Sequence, residues 1–178
     1  MQLNKNLLKA TLLTAAGFAA VSANASGTEQ SEFNITTTVT SVCQVEASAA
    51  AISFTDIAAG TLGTDIANKK SSGDISVMCS TDAPYVINLS TAGNSASTTG
   101  EGLMIGTKGD TIAYQLNSDA EGKVWGNTGT LAAAGNSVTG IGTGVSTAIL
   151  HSVYATITGS TDVKQDTYTD TITASVIY

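Results

Sequence analysis

The chain has 178 residues and carries 7 lysines, no arginine and 14 acidic residues, which gives it a formal net charge of −7. That length suits one domain. Because phosphate recognition relies on arginine and lysine, an acidic chain without arginine is a poor candidate for binding nucleic acid or anionic lipid. The acidity favours solubility and says little about the fold.

The first 25 residues have the layout of a secretory signal peptide. Lys5 and Lys9 give a short positive region, residues 7–21 are otherwise almost entirely apolar, and Ala23 and Ala25 form a small-x-small cleavage site. A buried helix and a membrane anchor are the alternatives, but the apolar run is shorter than the roughly 20 residues that span a bilayer. We predict that residues 1–25 direct export and are removed, and that the mature chain does not insert into the membrane.

The chain has two cysteines, Cys43 and Cys79. In an exported protein, an even pair is typical of a disulfide. A metal pair or a redox pair would be the alternatives. The single histidine of the chain and the absence of a C-x-x-C spacing argue against both. The sequence therefore predicts a structural Cys43–Cys79 disulfide, with no metal and no other cofactor.

Alternation of apolar and polar residues recurs along the mature chain, and a period of two predicts strands with one buried face. The segments with this pattern are Glu32–Val45, Asp74–Cys79, Tyr85–Ser90, Thr111–Asn117, Ser152–Thr158 and Tyr168–Tyr178. Turn-forming stretches separate them at 71–73, 92–102 and 126–144. The last of these is either a long mobile loop or weak strands joined by turns. Many short alternating strands plus a disulfide predict an all-β antiparallel sandwich.

Both ends of the mature chain have unusual features. The last predicted strand runs to the final residue, and its apolar face consists of Tyr168, Ile172, Ala174, Val176 and Tyr178. The first predicted strand follows a short polar leader and begins well before Cys43. A free alternating strand at one end and a vacancy at the other are what strand donation requires. Alternation alone also allows each strand to pair within its own sheet.

Four sequence blocks lie in a fixed order around the two cysteines. They are Cys43 with Ile52–Phe54, Gly73–Cys79 with Pro84–Ser90, Gly109–Asp119 with Val124–Gly126, and Tyr168–Tyr178. Together they resemble the spore coat protein U domain family, which includes the Csu-type pilins of archaic chaperone–usher pili. Thr55, Asn117 and the pair 165–166 depart from the pattern of the family. These departures leave open whether the subunit belongs to the shaft, to an adaptor or to the tip.

The resemblance implies an incomplete immunoglobulin-like antiparallel β-sandwich, formed by residues 41–178 and completed by a donor strand. The donor would lie within residues 26–40, with Phe33, Ile35, Thr37 and Val39 as its inward side chains. The acceptor groove would be bordered by Tyr168, Ile172, Ala174, Val176 and Tyr178. The implied partners are neighbouring pilin subunits, a periplasmic pilus chaperone and an outer-membrane usher. The implied location is the cell surface, where a pilus serves adhesion and biofilm formation.

An enzyme and a secreted, non-polymerising protein are the two alternatives to a pilus subunit. An enzyme is disfavoured because His151 is the single histidine and no G-x-S-x-G elbow accompanies it. We expect His151 to be a surface or packing residue, and Trp125 to lie in the core or at a sandwich edge. A secreted, non-polymerising β-sandwich coat or binding protein is the second alternative. It would have the same fold, but with all its strands supplied by one chain.

Overall fold

The structure is a computed structural model that describes residues 28–47 and 51–178. The predicted signal peptide, residues 1–25, and the first two residues of the predicted donor segment lie outside the described residues. The chain divides into two units, Met1–Thr38 and Val39–Tyr178. All the strands of the described residues lie in the second unit.

In the part of the chain that the structure describes, nine strands form two antiparallel sheets. The strands are β1 (Cys43–Glu46), β2 (Lys69–Cys79), β3 (Pro84–Thr91), β4 (Glu101–Gly106), β5 (Thr111–Asn117), β6 (Val138–Ile141), β7 (Ile149–Ile157), β8 (Tyr168–Thr169) and β9 (Ile172–Ile177). One sheet has the order β1-β2-β7-β5-β4-β8, and the other has the order β6-β3-β9. Within the described ranges, a single 3-10 turn spans Gly63–Asp65, and no helix is long and apolar enough to cross a membrane. The predicted all-β antiparallel class is confirmed.

The core lies between the two sheets and follows from the alternation in the strands. Every second residue of β2, β5 and β7 faces the alternate residues of β3, which buries Ile75, Val77, Leu116, Val153, Ala155, Tyr85, Ile87 and Leu89. Burying each of the larger aliphatic side chains contributes about 1.5–3 kcal/mol. Trp125 is buried among them, and its indole N–H donates to the carbonyl oxygen of Ile87 at 2.9 Å. The placement of Trp125 in the core is therefore confirmed.

Strand β4 is absent from the sequence prediction, which assigned a turn up to residue 102. Its inward positions are Gly102, Met104 and Gly106, so two of three inward side chains are missing from the alternation. The glycines leave room for tyrosine rings. A Cβ on Gly102 would lie 2.1 Å from the ring of Tyr114, and one on Gly106 would lie 2.8 Å from the ring of Tyr168. Because glycines stand at the positions that face these tyrosines, the sequence of β4 lacks the alternation of apolar and polar residues that would predict a strand.

Two further predictions need correction at the level of single segments, and one open alternative is decided by the structure. Residues 71–73 are not a turn before a strand but lie inside β2, at a shift of its register with β7 between Lys70 and Asp74. The segment 126–144 holds the short strand β6, so the alternative of weak strands joined by turns is the correct one. The first predicted strand, Glu32–Val45, is a strand only from Cys43 onward, where β1 pairs with β2.

The predicted terminal strand, 168–178, is in fact two strands in different sheets. β8 pairs with β4 in the larger sheet, whereas β9 pairs with β3 in the smaller one. The chain crosses between the sheets at Asp170 and Thr171. Tyr168 and Ile172 are an even number of residues apart, so the alternation continues across the crossing and does not reveal it.

The predicted disulfide is confirmed. Cys43 and Cys79 are bonded and lie directly opposite each other in the β1–β2 ladder. The bond ties β1, which has four residues and lies at the edge of its sheet, to the long strand β2. Cys79 is fully buried, so this link is anchored in the core.

The single histidine packs between strands. His151 Nε2 and the hydroxyl of Tyr85 are hydrogen-bonded at 2.9 Å, and the two rings meet edge to face. Burial lowers the pKa of His151, and the charge of Asp74 partly opposes this shift. Among the described residues, no group of three histidine, cysteine, aspartate or glutamate side chains could hold a metal ion.

This environment predicts that the domain becomes less stable as the pH falls through the ordinary pKa of histidine. Because the pKa of His151 is lowered in the folded state, the unfolded chain takes up the proton first below about pH 6.5. The free energy of unfolding should therefore decrease over this interval, and less so in His151→Gln. Fluorescence of Trp125 during urea unfolding at pH 7.5 and 5.5 measures the difference. An equal decrease in both proteins would assign the pH dependence to other groups.

Candidate strand-acceptor groove

The sandwich is open along one side. β1 is the outermost strand of the larger sheet and β9 is the outermost strand of the smaller one, so each is paired on one side only. The two strands lie near each other across the sheets. No strand among the described residues bridges these two edges. The gap between them is named the acceptor groove below.

The walls of the acceptor groove are apolar. On β9, Ile172, Ala174 and Val176 face the core but stay partly exposed, while the residues between them point outward. On β1, Cys43 and Val45 have the same half-buried, inward orientation. In a closed sandwich, inward side chains in these positions would be covered by a neighbouring strand. These partly exposed apolar side chains form a row, the apolar line of the groove. The line lies beside two strand edges to which no further strand of the described residues is paired.

A cavity of about 520 Å³ borders the core beside β8, and its lining is partly apolar and partly charged. Ile52, Phe54 and Met104 pack against the main core and also line the cavity. On its other side lies a second apolar cluster, which includes Ile112 and Tyr168. The cavity is large enough for an aromatic side chain.

An aspartate between β8 and β9 fixes the strand that forms the groove. One carboxylate oxygen of Asp170 accepts the backbone N–H groups of Gly93 and Thr171, both at 2.7 Å. The other accepts the hydroxyl of Tyr114 at 2.7 Å. Burial, this hydrogen bond and the charge of Asp170 raise the pKa of Tyr114. The sequence prediction assigned no role to Asp170, although an aspartate before threonine between two strands is typical of a side-chain-stabilised turn.

Replacing Asp170 by asparagine should therefore loosen β9. An amide has one acceptor oxygen, so it cannot satisfy all three donors, and the loss should be about 1–3 kcal/mol. We expect a lower urea midpoint, followed by Trp125 fluorescence. Asp162→Asn, which changes the same charge at an exposed position, is the control and should behave like the wild type. Equal midpoints for Asp170→Asn and the control would contradict the role of Asp170 as an anchor.

The structure brings together some of the predicted groove residues and separates others. Ile172, Ala174 and Val176 share the inward face of β9. Tyr168 lies on β8 in the other sheet and packs near Ile112 and Ile157. Tyr178 follows the end of β9 and is exposed.

The predicted donor residues have a common environment. Residues 28–42 form no strand. Phe33, Ile35 and Val39 are 83%, 86% and 88% exposed, and Thr37 is exposed as well. Large apolar side chains in such number are unusual on a surface unless they meet a partner. The sequence shows the alternation of Phe33, Ile35 and Val39, and the family resemblance adds Thr37, but the exposure of these side chains is visible only in the structure.

The model of the Spore Coat Protein U domain matches residues 29–175. The chain belongs to the spore coat protein U domain family. Among solved structures, this family member is similar to a chain in the crystal structure of the CsuC–CsuE chaperone–tip adhesion subunit pre-assembly complex from the archaic chaperone–usher Csu pili of Acinetobacter baumannii. The TM-score is 0.51 with 19% identity, and the match covers 79% of this chain but 41% of that chain. No curated protein matches the sequence.

Proposed function

We propose that this spore coat protein U domain chain is a structural subunit of an archaic chaperone–usher pilus, polymerising by strand donation. The observation that carries the proposal is the coexistence of an exposed alternating segment and an open apolar groove in one chain. The segment at 26–40 is the donor, and the domain at 41–178 is the pilin domain with its acceptor groove. Each subunit lends its segment to the groove of the next.

The physical basis is a strand addition between two free edges. The donor backbone forms ladder hydrogen bonds with β9, while Phe33, Ile35 and Val39 fill the apolar line of the groove and Thr37 occupies a narrower position. Burying each large apolar side chain contributes about 1.5–3 kcal/mol, and ordering the free segment opposes this gain. The contact joins two different surfaces, so it does not close on itself and continues as a fibre.

The same open groove supports a need for assembly partners. An open apolar groove is an aggregation risk before assembly, so it requires a temporary occupant. We assign that role to a periplasmic pilus chaperone and the exchange to an outer-membrane usher, in line with the chaperone–subunit complex named for the similar structure. Export by residues 1–25 then leads to the cell surface, where the polymer would act in adhesion and biofilm formation. The proposed role is structural and needs no catalysis.

Removal of the donor segment tests the proposal. Mature protein lacking residues 26–38 is compared with the intact mature form by size-exclusion chromatography, each with and without a co-expressed pilus chaperone. We expect denaturant-resistant polymers from the intact form and a one-to-one chaperone complex from the truncated form. Stable free monomers from both would instead favour a secreted, non-polymerising coat or binding protein.

A further inference from the structure

A second sheet edge of this domain is exposed and has no partner in the proposed polymer. β6 is the outermost strand of the smaller sheet and pairs only with β3. Thr139 and Ile141 of this strand are exposed, with Ile141 at 62%. Beside them, Leu131 and the alanines 132–134 border a cavity of about 280 Å³ that also reaches Pro84 and Val86. The set of β6 and residues 131–134 is named the β6 edge below.

The other edges of the described sheets are protected or used. β8 has two residues and is surrounded by charge, since Lys164 pairs with Asp110 at 3.3 Å and Asp166 accepts hydrogen bonds from the 107–108 turn. β1 and β9 border the acceptor groove. Short length and charged neighbours are the usual means of keeping an edge from pairing with another chain. The β6 edge has neither charge nor proline in its strand.

Charge identifies the kind of partner that fits the β6 edge. Residues 124–161 contain no lysine, arginine, aspartate or glutamate, although the chain as a whole carries a net charge of −7. A basic partner would bind an acidic face instead. A second copy of this chain is equally acidic, so it can approach closely only where both surfaces are uncharged. One acidic residue, Asp82, lies just beyond the end of β6, where its backbone N–H donates to the carbonyl oxygen of Gly142.

We propose that the β6 edge is a self-association surface that pairs a subunit with a second copy in a neighbouring polymer. Two β6 strands would pair antiparallel about a two-fold axis, and this places the two Asp82 carboxylates at opposite ends of the pair. Leu131 and Ile141 of each copy would cover the apolar cavity of the other. The inference rests on the proposed function, because it concerns contacts between assembled polymers.

The contact should be weak for one subunit and strong for a polymer. A four-residue strand and its adjoining loop form an interface at or below the small end of specific interfaces. A row of subunits repeats the contact, so that each further pair forms at a high effective concentration. Polymers should therefore associate side by side under conditions in which free subunits remain monomeric.

Lysine substitutions at the β6 edge test this inference. In Thr139→Lys/Ile141→Lys, a two-fold contact would bring like charges together. The matched control is Leu62→Lys/Thr64→Lys, which adds the same charge at exposed positions, with Leu62 at 57%. We expect the wild type and the control to form filament bundles that sediment at low speed, and the β6 variant to lose about tenfold or more of this material because the repeated contact is lost. Bundling should increase with salt, since salt screens the repulsion between acidic polymers.

Two results would overturn the inference: bundling of the β6 variant at the wild-type level, or dispersal of wild-type bundles by salt. A denaturant-resistant ladder, measured on the same samples, reports strand donation separately. If the wild type gave no ladder, the proposed function would fail. Self-association through the β6 edge would then be tested by sedimentation equilibrium of free subunits at high concentration. Dimers of the wild type and the control, but not of the β6 variant, would still support the surface. Monomers throughout would overturn it.

Discussion

Replacement of Ile35 by aspartate is expected to abolish polymer formation while leaving the pilin domain folded with its chaperone. Ile35 is exposed in the free chain, so the substitution costs little there. In the polymer, its side chain would enter the apolar acceptor groove. The change removes about 1.5–3 kcal/mol of burial and adds the cost of burying a carboxylate, which together amount to about 4 kcal/mol or more. That corresponds to about a thousandfold weaker association.

The neighbouring position supplies the control for this prediction. Thr36 lies on the opposite side of the alternating segment, so Thr36→Asp adds the same charge without facing the groove. We expect Thr36→Asp to give a normal ladder of denaturant-resistant polymers on an unheated gel, Ile35→Asp to give none, and Phe33→Asp to behave like Ile35→Asp. Normal ladders from both inward variants would refute the donor assignment. Loss of the ladder in Thr36→Asp alone would reverse the inward and outward faces.

Loss of the disulfide should have the second largest effect. Cys43 and Cys79 are separated by 36 residues, and closing a loop of this length stabilises a domain by about 4 kcal/mol in the chain-entropy model. β1 has few other constraints, since it has four residues and one strand partner. Without the bond, we expect β1 to detach from β2 and one wall of the acceptor groove to be lost. The consequence is less folded subunit and fewer polymers.

The double variant Cys43→Ala/Cys79→Ala avoids a free thiol and is the suitable test. Its guanidinium midpoint, followed by the fluorescence of Trp125, should lie well below that of the oxidised wild type. Reduced wild-type protein should match the variant, and Cys43→Ala/Cys79→Ala should not respond to reductant. Equal midpoints for the variant and the oxidised wild type would show that hydrogen bonds and packing alone hold β1 in place.

Alternation in the sequence was sufficient for strands whose inward side chains are large. Tyr85, Ile87 and Leu89 predicted β3 to within one residue at each end, whereas Ile112, Tyr114 and Leu116 predicted β5 with the same bounds as in the structure. It failed at β4, where Gly102 and Gly106 replace inward side chains. It also failed at Asp170, where the chain crosses from the larger sheet to the smaller one, because the period of two continues unchanged there.

The acceptor groove could be predicted only in part. The inward face of β9 followed from the alternation of Ile172, Ala174 and Val176. The opening itself depends on which strands lack a neighbour, and that is a property of sheet order which local patterns do not contain. The same limit applies to Phe33 and Ile35. Their alternation predicts a strand, but it does not say which sheet edge the strand will join.

Binding of a synthetic donor peptide is the most direct test of strand donation into the acceptor groove. A peptide of residues 28–41 is added to subunit lacking residues 26–38, released from its chaperone, and hydrogen exchange is followed along β9. We predict a one-to-one complex with slowed exchange at β9 and a higher unfolding temperature, and neither effect with the Ile35→Asp peptide. Failure of the wild-type peptide to bind, or equal protection by both peptides, would contradict strand donation into the acceptor groove.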